Sequence, residues 1–165
     1  MKLKDRINAF SELGKTLNTW IKQREACQYS PLNEVVRQAH YHNGWFDEKQ
    51  VMLALNEIAF WLNHEKLENW VSQYEFSEEA KPKLVGVIMA GNIPLVGFHD
   101  YLSVLISGHK ILGKLSSKDK ILIQFLNQEL IAIEPRFKDV VDFSTERFTN
   151  IDAVVATGSD NSSRY

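Results

Sequence analysis

Residues 83–118 read KLVGVIMAGNIPLVGFHDYLSVLISGHKILGKLSSK, and the order of apolar runs and breaks in them decides the fold. Residues 84–89 are a short, almost continuous apolar run with two valines and an isoleucine, the pattern of a parallel strand covered on both faces. Gly91 and Pro94 stop it. Across residues 95–105, Leu95, Val96, Phe98, Leu102 and Leu105 recur mostly three and four apart, which predicts a helix with one face on a sheet. Gly108 supplies its C-terminal stop. Residues 110–115 return as a second strand, and a crossover of this length sets it parallel to the first.

The alternation continues downstream. Ser116 or Ser117 is expected to cap a helix over residues 118–133 with Ile121, Phe125, Leu126 and Leu130 inward, and Pro135 follows its end. Residues 140–143 and 153–156 are short β-branched segments, the second running into Thr157, Gly158 and Ser159. Upstream the periodicity is helical. Leu3, Ile7, Phe10, Leu13, Leu17, Trp20 and Ile21 mark an amphipathic helix whose apolar face needs a partner. Ser30 before Pro31 opens a second helix through Gln38, and Asn43 with Gly44 ends it. Asp47 and Gln50 resemble a capping box for a third helix over residues 51–71, with Leu53, Ile58, Trp61, Leu62 and Trp70 as candidates for burial. The fold class is therefore α/β: a helical region at residues 1–80, then a partial Rossmann-like parallel sheet at residues 81–165. A sheet that breaks off after a strand and turn lacks its covering helix, so the sequence reads as an N-terminal fragment.

A chain of 165 residues, 44% of them hydrophobic, can bury the core of an ordinary domain, which excludes disorder. The net charge of −2 excludes a general nucleic-acid binder, since such binding draws on concentrated positive charge. Residues 1–25 alone carry a positive excess. One cysteine excludes an internal disulfide, and the start MKLKDRINAF lacks the apolar core of a secretory signal. No apolar run is long enough to span a membrane, so a cytoplasmic location is expected.

Ligands of open α/β sheets collect at the C-terminal ends of the strands, so residues 90–94, 114–117 and 157–161 should share one edge. A lysine and hydroxyls there, beside helix starts, suit ribose and phosphate oxygens. Gly86 and Gly91 have the spacing of a phosphate-binding loop, but Asn92 and Ile93 stand where Lys and Ser or Thr are required. No G-x-G-x-x-G fingerprint occurs. Fold and spacing alone reach a nucleotide-type ligand.

The run VGVIMAGNIPLVGFHDYLSVLISGHKILGKLSSKD, with the later ATGSDNSSRY, closely resembles the LuxC-type acyl-CoA reductases of the aldehyde dehydrogenase superfamily. The resemblance implies reduction of a fatty acyl group to an aldehyde by NADPH, through a thioester on an enzyme cysteine. It implies an acyl-CoA or acyl-protein thioester as substrate, an acyl-protein synthetase as partner, and a bacterial, in some cases luminous, context. It assigns to Asn92 the amide that steadies the oxyanion, a role suited to a fixed neutral donor. Lys114 matches the lysine that contacts the adenosine ribose or its 2′-phosphate. Ser117, beside Ser116, stands where many NAD-preferring relatives carry a glutamate, and loss of that carboxylate removes repulsion toward the 2′-phosphate, favouring NADPH. Gly158 and Ser159, after Thr157, match the Gly-Ser pair near the cofactor diphosphate.

The family's nucleophilic cysteine and acid/base glutamate are expected beyond Tyr165, leaving these residues catalytically silent alone. Cys27 lacks a Gly-rich turn or activating partner and reads as structural. The histidines show no metal spacing, and the tryptophans read as core or interface anchors. A non-catalytic nucleotide-binding or protein-interaction module is the competing assignment. Self-association is expected, because an open sheet edge and an unpaired amphipathic helix both leave apolar surface to cover.

Overall fold

The computed structural model describes residues 1–24, 30–77 and 80–157; Cys27, Gly158 and Ser159 lie outside them. Four helices come first, α1 (Leu3–Gln23), α2 (Pro31–His42), α3 (Glu48–Trp61) and α4 (His64–Val71). An α/β unit follows as β1 (Leu84–Ile88), α5 (Phe98–Ile106), β2 (Lys110–Lys114), α6 (Ile121–Ile133), a 3-10 helix (Pro135–Asp139), β3 (Val141–Phe143) and β4 (Ala153–Ala156). The four strands form one sheet in the order β3-β2-β1-β4, with every neighbouring pair parallel. The sheet grows from β1 through β2 to β3, then β4 returns to the other side of β1. That reversal makes the gap between the C-terminal ends of β1 and β4 the switch point of the sheet.

Local chemistry accounts for most boundaries. Ser30 accepts the Asn33 N–H at 3.2 Å and Pro31 takes the first helical position, so α2 starts as expected, although it continues past Gln38 to His42. Asp47 accepts the Gln50 N–H at 2.7 Å and opens α3. The expected single helix over residues 51–71 is two helices, because Asn63 caps a new start by accepting the Lys66 N–H at 3.3 Å. Leu53, expected inside, is 64% exposed, since the buried stripe of α3 runs through Val51, Leu55, Ile58 and Ala59. Trp45, at 84% exposed, does not anchor the core.

Gly108, at φ +87°, closes α5: its N–H reaches the Leu105 carbonyl and the His109 N–H reaches Val104. That helix starts later than expected, at Phe98, because Leu95 takes φ +59° in the turn before it. Likewise α6 begins at Ile121 without a side-chain cap, because the Ser116 hydroxyl instead accepts the Lys118 N–H in a preceding turn.

The apolar face of α1 finds its partner inside the chain. Ile7, Phe10, Leu13 and Leu17 are buried in a core shared with α3, α5 and α6. Arg6 adds a polar tie, its Nε donating to the Ile106 carbonyl at 2.8 Å, where the C-terminal carbonyls of α5 attract a cation. The premise that α1 is unpaired, and with it that ground for self-association, is corrected. Inside this core the Tyr101 hydroxyl donates to Asn127 Oδ1 at 2.8 Å, with both side chains buried. Tyr101→Phe strands that amide oxygen and is expected to cost about 1–3 kcal/mol, read as a lower midpoint of urea unfolding.

Candidate functional site

Register alone brings the expected site residues to one rim. Ile88, the last residue of β1, pairs with Lys114 on one side and Ala156 on the other. The ladder continues past the strand, since the Met89 N–H donates to the Lys114 carbonyl at 3.0 Å and the Thr157 N–H to the Ile88 carbonyl at 3.3 Å. Lys114 and Ala156 therefore lie two strand spacings apart, about 10 Å, with β1 between them. Partnered residues of a parallel pair point the same way, so Lys114 shares a face with Ile88 and Ala156. Met89 points to the other, where its side chain fills the space a Cβ on Gly97 would need, at the start of α5.

Two loops leave this rim. The first, residues 90–97, carries Asn92, which is exposed. The second, residues 115–120, carries half-buried Ser116 and exposed Ser117. They touch at Gly91, where an added Cβ would sit 2.3 Å from Ser116 Oγ and 2.5 Å from its Cβ, so only glycine allows this approach. Thr157 stands at the third position, half-buried, and its hydroxyl donates to an Asp100 carboxylate oxygen in the first turn of α5. The structure thus gathers Asn92, Lys114, Ser116, Ser117 and Thr157 at the ends of β1, β2 and β4, while the expectation for Gly158 and Ser159 falls outside the described residues.

Two acidic residues at the rim escaped the sequence reading. Asp100 could have been noticed as a carboxylate in the first turn of a helix that starts beside strand ends. Asp119 had a weaker signal, three residues after Ser116 in a polar run. Its side chain is 7% exposed, and Oδ2 accepts the Leu95 N–H at 2.6 Å. Its other oxygen, Oδ1, is buried without a hydrogen-bond partner among the described residues. Burial pushes this carboxyl up to about 6, with the Leu95 N–H pulling the other way.

The remaining candidates have structural partners. His40 Nδ1 donates to the Phe46 carbonyl, and His109 Nδ1 accepts the Lys83 N–H, each at 3.2 Å. The His99 ring lies 6.1 Å from Trp61 and 5.9 Å from Trp70 at the start of α5; Trp70 is half-buried there, whereas Trp61, expected inside, is 40% exposed, because it lies off the buried stripe of α3. Among the described residues no helix is long and apolar enough to cross a membrane.

One lysine and three hydroxyls thus stand at the ends of β1, β2 and β4 beside the Asp100 carboxylate, donors of the kind that suit ribose and phosphate oxygens. No curated protein and no solved structure matches the chain. The family model for acyl-CoA reductase (LuxC) matches residues 62–165, which takes in α4, the whole parallel sheet and both rim loops. The chain belongs to the LuxC family of acyl-CoA reductases.

Proposed function

We propose that residues 81–165 form the NADPH-binding unit of an enzyme that reduces a fatty acyl thioester, presented on CoA or on a carrier protein, to an aldehyde, with residues 1–80 as its helical support. The observation that carries this reading is the pairing of Ile88 with both Lys114 and Ala156, which sets the lysine and the Asn92 turn on one rim. Lys114 faces the ribose 2′-phosphate as a cation, and Ser116 and Ser117 offer hydroxyls to the same sugar. Thr157 stands immediately before Gly158 and Ser159, the pair that the family resemblance assigns to the cofactor diphosphate.

A nicotinamide nucleotide held by these residues would supply the hydride for the acyl carbon. Asn92 donates its side-chain amide to the oxygen of that carbonyl, which gains negative charge as the carbon becomes tetrahedral. The acyl group is held as a cysteine thioester, and expulsion of the thiolate restores the carbonyl as the aldehyde. Because a neutral amide is not consumed by proton transfer, Asn92 serves both the formation and the reduction of the thioester.

Titration of the 165-residue chain with NADPH, followed by backbone amide shifts, is expected to perturb residues 114 and 117. A charge-assisted contact contributes about 1.5–3 kcal/mol, so Lys114→Ala should weaken NADPH binding about tenfold or more and NADH binding less. Absence of shifts at both positions at millimolar NADPH, or equal weakening of both nucleotides, would overturn the assignment.

A further inference from the structure

We infer that Asp119 is the positioning residue of this site: it holds the turn that presents Asn92 in place, from the loop that carries Ser116 and Ser117. The inference rests on the reading of Asn92 as the oxyanion donor. Three observations converge on it.

The turn contains a strained residue. Leu95 sits at φ +59°, a region that costs a leucine of order 1–2 kcal/mol and persists only where surroundings enforce it. The enforcing contact is the bond from its N–H to Asp119 Oδ2, 2.6 Å long and buried, across 24 positions in sequence. The Phe98 N–H then bonds the Leu95 carbonyl at 2.9 Å, so the same residue links the carboxylate to the start of α5.

The second observation is the contact between loops. Gly91 lies against Ser116, so the turn is gripped at both ends by the 115–120 loop, at Gly91 by packing and at Leu95 by the carboxylate. Asn92, Ile93 and Pro94 span the interval. Displacement of Asp119 therefore moves the amide of Asn92 relative to the hydroxyls of Ser116 and Ser117, which changes the distance between the reacting end and the ribose end of a bound dinucleotide.

The third is the loop's own mooring. The Asn43 side chain, itself buried at the end of α2, donates to the Lys118 carbonyl at 3.4 Å, and the Asp119 N–H donates to the Ser116 carbonyl at 3.1 Å. The carboxylate thus projects from a fixed base. Its second oxygen has no hydrogen-bond partner among the described residues, a cost that packing alone would have avoided with an apolar side chain.

The test compares Asp119→Leu, which removes the acceptor at similar size, with Asp119→Asn, which keeps an acceptor oxygen, both in the 165-residue chain. In the leucine variant, amide exchange at Leu95 should rise at least tenfold beyond any rise at Val87 and Ile111, and the Asn92 side-chain amide signals should move. The asparagine variant should restore both. Exchange at Leu95 rising only in step with Val87 and Ile111, or unmoved Asn92 signals, would overturn the inference. Should the leucine variant not fold, a coupling across the hydrogen bond between Leu95 15N and the Asp119 carboxyl 13C in the unsubstituted chain decides it: presence supports the bond and absence overturns it. The cofactor reading fails separately, by absence of NADPH shifts at residues 114 and 117, because the Leu95 and Asn92 measurements need no nucleotide.

Discussion

Phe10→Ala is expected to lower the free energy of unfolding by about 3–5 kcal/mol, one of the two largest effects anticipated for a single substitution here. Phe10 is fully buried, and its ring meets that of Phe137 edge-on at a centroid distance of 5.5 Å. Truncation removes the transfer free energy of an aromatic side chain, opens a cavity, and deletes an edge-to-face pair that contributes about 0.5–1.5 kcal/mol beyond its area. Phe137 is itself fully buried in the 3-10 helix that leads directly into β3, so the cavity opens beneath one edge of the sheet. The Ile111 N–H donates to the Val140 carbonyl at 2.8 Å, which passes the disturbance to β2 and the strand end that carries Lys114. Urea unfolding followed by both tryptophan fluorescence and far-UV circular dichroism should show one transition displaced by this amount. A loss below about 1 kcal/mol would mean that the site tolerates truncation as a surface position does.

The difference between what the sequence disclosed and what it hid follows from the range of the interactions involved. Strands β1 and β2 were legible because a parallel strand inside a sheet is a short apolar run with few alternatives, and the 153–156 segment, although exposed at the sheet edge, matches β4 residue for residue through its paired valines. The rim followed from topology, since strand ends in a parallel sheet converge whatever their side chains. Helix starts were legible where the cap lay three residues from its acceptor, as at Ser30 and Asp47. Asn63 carried the same signal, but the apolar period runs through Leu62 and masks the break. The spacing of Leu95 fits a helix. Its positive φ depends on a carboxylate 24 positions away, and periodicity holds no record of such a contact. Asp119 was hidden for the same reason: an aspartate in a run of serine and lysine reads as a solvated loop residue until the sheet brings Gly91 and Leu95 against that loop.

The second large effect is a dependence of stability on pH that belongs to Asp119. Its carboxyl ionises at about 6 in the folded chain, against 3.8 as the ordinary value, because burial disfavours the charged form more than the Leu95 N–H favours it. The folded state therefore binds this proton more tightly than the unfolded state does. Between these two values the folded chain carries the larger share of bound protons, so stability falls as pH rises through the window and the whole penalty is in force above about 6. A displacement of about two units corresponds to about 3 kcal/mol, of which about 2 kcal/mol is recovered on acidification from about pH 7.5 to about pH 4.5. Other groups titrate over this range, so the expected result is a difference between two proteins. Stability of the unsubstituted chain relative to Asp119→Asn should rise by about 2 kcal/mol over that interval, since the amide has no proton to gain. Parallel curves for the two would show that the carboxyl is not desolvated, and an opposite slope would show that it has a charged partner. The sign matters for the site. At neutral pH the folded chain carries an ionised carboxylate that burial disfavours, a cost of the kind that accumulates where geometry serves chemistry. The same charge strengthens the bond that holds Leu95, so the group that weakens the fold at neutral pH is the one that fixes the turn carrying Asn92.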